Sequence, residues 1–329
     1  MLTKSKVLES SITAAMSQVA YSPVTCLNSI SHATQQMLKM KSLYSVQADE
    51  DGVKHSYLNK SGYALVESIA VIKACPFLNG QIAHCTVSPF LKRSHDFLVR
   101  TLLINVQKDQ PLNETWILKQ FQGFKQELLT RGFDEQSKAW KASVQITAKQ
   151  FDDFMHGMKK QVKGFDIHEL LCIYPLDQQI YPHVAFSQQS DFGASMDKEI
   201  VRLISQSRDN QVCGIISKLE ISINQQLIRR FLIFTERQYI DDPSNFTNFN
   251  FMADIKRLVE PNSNNRVVLV SNHLNGLSVS NKYLKGSVDF KEQVKLLKTY
   301  LVGTDQLIRA GNGKSTCEFL FSKFEIIKQ

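Results

Sequence analysis

The chain has 329 residues, 43% hydrophobic and 21% charged, a composition that suits a folded protein with a sizeable core and excludes a disordered one. No stretch approaches the ~20 apolar residues of a membrane-spanning helix, and the segment from Met1 to Lys6 lacks the apolar run of a signal peptide, so a cytoplasmic protein with no membrane partner is expected. The formal net charge of +8 favours a polyanionic partner, and it is unevenly spread. Residues 1–110 carry 11 Lys+Arg against 7 Asp+Glu, residues 111–210 carry 12 against 13, and residues 211–329 carry 16 against 11.

The amino-terminal 95 residues read as mainly helical. Leu8, Ile12, Ala15 and Val19 share a helical face, a second helix after Ser22-Pro23 runs to about Met40, and a third is capped by Ser61 and stops at Pro76. Residues 96–210 read as β-α-β-α-β-β. They comprise a strand from Phe97 to Val106, a helix from Asn113 with Ile117, Phe121, Phe124 and Leu128 inward and Gly132 as its stop, and a strand from Trp140 to Ile146. A helix capped by Thr147 follows, then strands at 168–174 and 180–187 and a short helix near 197–206. Residues 211–329 read as a basic α/β region. A hairpin (213–223 and 227–235) leads through a polar loop (241–250) to a helix (251–259), a strand (266–271), a helix (289–302) and a last strand (316–327). The expected fold class is α/β of the α+β type: a helical amino-terminal region followed by a mixed, mainly antiparallel sheet packed with helices.

Cys26, Cys75, Cys85, Cys172, Cys213 and Cys317 show no Cys-x-x-Cys pair, which argues against a disulfide framework or a zinc finger and for reduced, buried thiols. Cys75, His84 and Cys85 form the nearest approach to a metal cluster and fall short of four ligands. The segment from Ala310 to Thr316, Ala-Gly-Asn-Gly-Lys-Ser-Thr, ends like a phosphate-binding loop. Ile308 stands where that motif needs its first glycine, which leaves a basic, glycine-rich loop able to touch phosphate. On the strand expected from residue 227, Arg229 and Arg230 point to opposite faces, and one of them is expected to pair with Glu220 across the hairpin.

Tyr181 and His183 would share one face of the expected 180–187 strand, because side chains alternate along a strand. That segment, Ile180-Tyr-Pro-His-Val-Ala-Phe186, the run Phe97-Leu-Val-Arg-Thr-Leu-Leu-Ile104 with the helix from Trp116 to Leu129, and the late helix from Val294 to Asp305 leading to Phe319-Leu-Phe-Ser-Lys323 together resemble rolling-circle replication-initiator-like proteins of filamentous phages, prophages and plasmids. The resemblance covers about a third of the chain. It implies that His183 matches the second metal-binding histidine, that Tyr181 occupies the place of the first, and that Tyr300 is the candidate nucleophile with Lys298 near it. A divalent cation (Mg²⁺ or Mn²⁺) would be needed only if nicking is retained, and the altered ligand pair puts nicking in doubt.

The basic excess is densest at Lys282, Lys285, Lys291, Lys295 and Lys298, joined by Arg309 and Lys314. Lys291, Lys295 and Lys298 form a ridge at helical spacing that suits phosphate contacts. The expected function is a nucleic-acid-binding, replication-initiator-like protein of a mobile genetic element, with DNA as partner. The alternatives are a phage or satellite assembly (scaffolding) protein, which would self-associate or bind another phage or plasmid protein, and a metal-dependent DNA nicking enzyme.

Overall fold

A computed structural model describes residues 30–31, 34–36, 38–39, 41–63, 85–100, 114–174, 182–206, 212–221, 227–236, 250–259, 268–272, 282–310 and 317–320. The helix at 3–19, most of its expected partner, the bulk of the 61–76 helix, the 241–249 loop, Tyr181 and the glycine-rich segment 311–316 lie outside these residues. The chain divides into two units, one comprising 21–83 and 87–142, the other 1–20, 84–86 and 143–329.

In the smaller unit, β1 (Tyr44–Ala48) and β2 (Lys54–Leu58) form an antiparallel hairpin. Asn59, rather than Ser61, caps the helical turn that follows, its side chain accepting from the backbone N–H groups of Ser61 and Gly62. Beyond β3 (Cys85–Val87), Ser88 caps α1 (Pro89–Leu98) by accepting from Leu91 N, with Pro89 at the first helical position where its missing N–H costs nothing. Phe97 stacks on Phe124 and meets Phe121 edge-on, at centroid distances of 4.3 and 4.8 Å. It thereby joins α1 to α2 (Glu114–Leu128), whose Ile117, Phe121 and Phe124 are buried as their spacing predicts. The expected strand opening at Phe97 is corrected, because Phe97 and Leu98 end a helix. A short apolar run has no periodicity that separates strand from buried helix.

The next helix, α3, is 31 residues long (Arg131–Gln161) and begins beside Gly132, the residue expected to end α2. It absorbs the expected strand at Trp140–Ile146. Thr147 is no cap but an interior residue whose hydroxyl donates to Ser143 O, four residues back.

The larger unit is built on a six-stranded antiparallel sheet. Its long strands are β4 (Gly164–Tyr174), β5 (Val212–Ile221) and β6 (Leu227–Glu236), with β7 (Val268–Asn272), β8 (Lys282–Leu284) and, after β9 (Ile308–Ala310), β10 (Cys317–Leu320). The strand order is β10-β5-β6-β4-β7, with β8 continuing beside β4. A helix α4 (Pro182–Gln206) lies between β4 and β5, β5 and β6 pair as consecutive antiparallel strands, and α5 (Asn250–Val259) lies between β6 and β7. The sequence β-α-β-β-α-β with order 7-4-6-5 is the split β-α-β, ferredoxin-like connection, extended by β10 at one edge. The mixed α/β class with a mainly antiparallel sheet is as the sequence predicts.

Register places alternate residues on opposite faces. Leu170, Cys172 and Tyr174 of β4 and Phe231 and Ile233 of β6 pack under Met196, Ile200 and Ile204 of α4 and Phe251, Met252 and Ile255 of α5. Phe165 and Ile167 of β4 and Leu232 and Phe234 of β6 point the other way. They pack under Phe151, Phe154 and Met158 of α3 and Phe290, Leu297 and Leu301 of α6 (Phe290–Val302). Gly214, at a bulge in β5, lets α3 come close, since a Cβ there would lie 2.7 Å from the Phe154 ring.

The expected strand at 180–187 is corrected, because Pro182 opens α4, which also takes in the short helix expected near 197. Proline is favoured at a first helical position, and it outweighs the apolar run that suggested a strand.

Candidate nucleic-acid interface and buried charge network

The helices that carry His183 and Tyr300 lie on opposite faces of the sheet. His183 is the second residue of α4, in the helical layer on one face of the sheet, whereas Tyr300 belongs to α6 on the other face. Tyr300 is 0% exposed. Its hydroxyl accepts from Arg230 and donates to Glu169 Oε1 at 2.6 Å, and the Arg230 guanidinium also lies over its ring at 4.8 Å. Burial, only partly opposed by Arg230 and reinforced by Glu169, pushes the phenol well above its ordinary pKa. A tyrosine that attacks a phosphodiester must reach the phosphorus and shed its proton, and this one does neither. The assignment of Tyr300 as a nucleophile is therefore corrected to that of a structural hub.

Around Tyr300 lies a network absent from the sequence expectations except for one pair. On the face under α6, β5 contributes Lys218 and Glu220, β6 contributes Arg230 and β4 contributes Glu169. Arg230 bonds Glu169 Oε1 at 2.5 Å and Glu220 Oε2 at 2.8–2.9 Å, so the expected pairing of one hairpin arginine with Glu220 is present. Lys218, opposite Arg230 in register, reaches Asp305 Oδ1 at 2.9 Å, Leu301 O at 2.5 Å, Glu220 Oε1 at 3.3 Å and the Thr304 hydroxyl. The acceptors Thr304 and Asp305 sit in the 3-10 turn Gly303–Gln306 that ends α6.

Arg309 is buried too, its Nη1 donating to Ser143 Oγ at 2.6 Å and its Nε to Asp305 O at 3.3 Å. Its expected role in phosphate contact is corrected accordingly. Lys218, Arg230 and Arg309 thus lie among Glu169, Glu220 and Asp305, three basic side chains with three acidic ones. Burial works against each charge, but Asp305 and Glu220 hold Lys218 above its ordinary pKa, and Arg230 and Lys218 hold Glu220 below its own. The faint signal in the sequence is charge set among the apolar residues of the strands: Glu169 before Leu170-Leu171, and Lys218 and Glu220 after Ile215-Ile216.

The opposite face holds a smaller set. Arg229 Nε donates to Asp197 Oδ2 at 2.6 Å and Tyr174 OH donates to Asp197 Oδ1 at 2.7 Å, tying α4 to the two central strands. Burial raises the Asp197 carboxyl above its ordinary value despite Arg229.

The lysines of the expected ridge lie on α6. Lys291 and Lys295 are exposed on α6, and Lys298 is half-buried and bonds Asp152 of α3 at 2.5 Å. Lys285 is exposed beside the last turn of α3, with its backbone N–H bonded to Lys163 O at 2.9 Å and its Nζ to Lys159 O at 3.2 Å. That contact brings Lys160 and Lys163, both exposed and neither foreseen, to the lysines of the β8–α6 turn. The clue was the run Met158-Lys-Lys-Gln-Val-Lys163 at a helix end, where cations also offset the partial negative charge of the free carbonyls. Five exposed lysines (160, 163, 285, 291 and 295) face two exposed carboxylates, Asp289 and Glu292, at the start of α6. The side chain of Lys282 and all of Lys314 lie outside the described residues.

Among the described residues no group of three or more His, Cys, Asp or Glu is arranged to hold a metal ion, and no helix is long and apolar enough to cross a membrane. Cys75 and His84 lie outside those residues. Comparison of the chain with protein-family models, with curated proteins and with solved structures finds no match.

Proposed function

We propose that the protein is a non-catalytic, DNA-binding member of the replication-initiator-like class, with the lysine face of α3 and α6 as its contact surface. The observation that carries this reading is the joining of Lys160 and Lys163 to Lys285, Lys291 and Lys295 through the backbone bond between Lys285 and Lys163. These ammonium groups are exposed, three of them on helices and those of Lys163 and Lys285 on the adjoining bend and turn, where phosphate can reach them. Buried Arg230 is spent on Glu169 and Glu220, whereas the five lysines of this face stay exposed and available to a polyanion. The placement in a mobile element rests on the sequence resemblance. The placement of α4, which carries His183, and of α6, which carries the buried Tyr300, on opposite faces of the sheet supports binding without strand cleavage.

A gel-shift assay with short duplex and single-stranded DNA, run beside an incubation of supercoiled plasmid with Mg²⁺ or Mn²⁺, tests the proposal. The expected result is a shift that K160E/K163E and K291E/K295E each weaken, with the plasmid left intact. Binding unchanged in both variants, or nicking that disappears in Y300F, would contradict it.

A further inference from the structure

The β1–β2 hairpin is built as a projecting arm. Its base is fixed, with Leu43 buried, Asn59 N donating to Leu43 O at 2.9 Å and Asn59 Nδ2 to Ser42 O at 2.8 Å. Its tip is fixed as well. Asp49 Oδ1 accepts from Val53 N at 2.8 Å and Asp51 N at 3.1 Å, its Oδ2 meets His55 Nε2 at 2.9 Å, and Gly52 takes the positive φ of 78° that the turn requires. Between base and tip nearly every strand residue is exposed, and among the described residues neither strand pairs with a third. A lone two-stranded ribbon is marginal in water, and this one leaves Val46 61% and Tyr57 51% exposed. Its charge excludes the polyanion of the proposed function, since Asp49, Glu50 and Asp51 crowd the tip against Lys54 alone.

The opposite character appears on the β8–α6 turn of the larger unit. Val288 is 97% exposed and Leu284 47%, and exposed Lys163, Lys285 and Lys291 lie near them in sequence and pairing, outnumbering the exposed Asp289 and Glu292. An apolar centre with a basic rim matches an apolar stem with an acidic tip, in the arrangement of buried centre and polar rim that protein interfaces adopt.

We infer that the hairpin arm of one copy docks on the β8–α6 turn of a second copy, Glu50 and Asp51 meeting its Lys285 and Lys291. Donor and receiver are different surfaces, so the contact is heterologous and propagates head to tail into chains or closes into a ring. The arm and DNA then compete for the same lysines, although the inference does not depend on DNA binding.

Sedimentation velocity of the full chain over a range of concentrations, at low and high salt, tests this. The expected result is a mass that rises with concentration at low salt, with association weakened at least about tenfold in E50K/D51K and in K285E/K291E and restored when those two variants are mixed. Restoration on mixing also shows that both variants are folded. A monomer at every concentration, or association that E50K/D51K leaves unchanged, overturns the inference. Self-association in a protein that binds no DNA upholds it while removing the proposed function, and DNA binding by a strict monomer does the reverse.

Discussion

Tyr300 and Glu169 meet at 2.6 Å in the interior, a phenol from the last long helix held by a carboxylate from the central strand. Arg230 touches both, so helix and sheet share one charged joint. Y300F leaves the ring in place and removes the hydrogen bonds. Loss of about 1–3 kcal/mol in urea unfolding is expected, with the fold kept, because one oxygen of Glu169 loses a donor in a place water does not reach.

Breaking the ion pairs costs more than breaking the phenol contact. R230M strands Glu169 and Glu220 without their arginine and is expected to lose about 3–5 kcal/mol. The triple variant R230M/E169L/E220L removes the charges together and should recover part of that loss, as a denaturation series on the two variants will read out. A triple variant less stable than R230M would show that the network contributes more than mutual cancellation.

The pH dependence follows from Glu220. Its folded pKa is depressed by Arg230 and Lys218 in spite of burial, so its contribution to stability is full above the unfolded carboxyl value of about 4.3 and is lost as pH falls through the lower folded value. Asp197 runs the other way, its raised carboxyl costing stability above its folded pKa and relieving that cost as pH falls toward the unfolded value. Thermal melts in acid should therefore show E220Q losing less stability than the parent below pH ~4, and D197N should lack the opposing relief.

Much of this architecture was readable from the sequence, and the failures have specific causes. The helix bearing Ile117, Phe121 and Phe124, the β5–β6 hairpin and α6 all carry strong periodicity or a clean turn, and they formed as expected. At residues 140–146, Trp140, Ala142, Val144 and Ile146 alternate as in a strand. Yet Ile146 is exposed and Val144 packs on the core from inside a helix of Lys, Ala and Gln neighbours, because long-range packing of α3 on the sheet overrides a four-residue alternation. Of the site, the ridge on α6 was legible because its lysines are close in sequence. The joining of Lys163 to Lys285 spans 122 positions and exists only once β8 pairs with β4. Apart from the Arg230–Glu220 pair, the charge network was invisible for the same reason, its members coming from four strands, α6 and the turn that ends it.

The thiols report on the same core. Cys172, Cys213 and Cys317 are buried, and burial pushes the Cys172 and Cys317 thiols up. Brief alkylation of the native protein followed by peptide mapping should leave these three unmodified, and all three should react after unfolding in urea.

DNA binding through the lysine face is tested most directly by the salt dependence of affinity, measured by fluorescence anisotropy for the parent, Y300F and K291E/K295E. The expected result is a linear fall of log affinity with log salt, the same slope in Y300F, and a slope shallower by about 2 in K291E/K295E, close to 0.9 for each phosphate that is no longer neutralised. An affinity indifferent to salt, or a slope that K291E/K295E leaves unchanged, would contradict it.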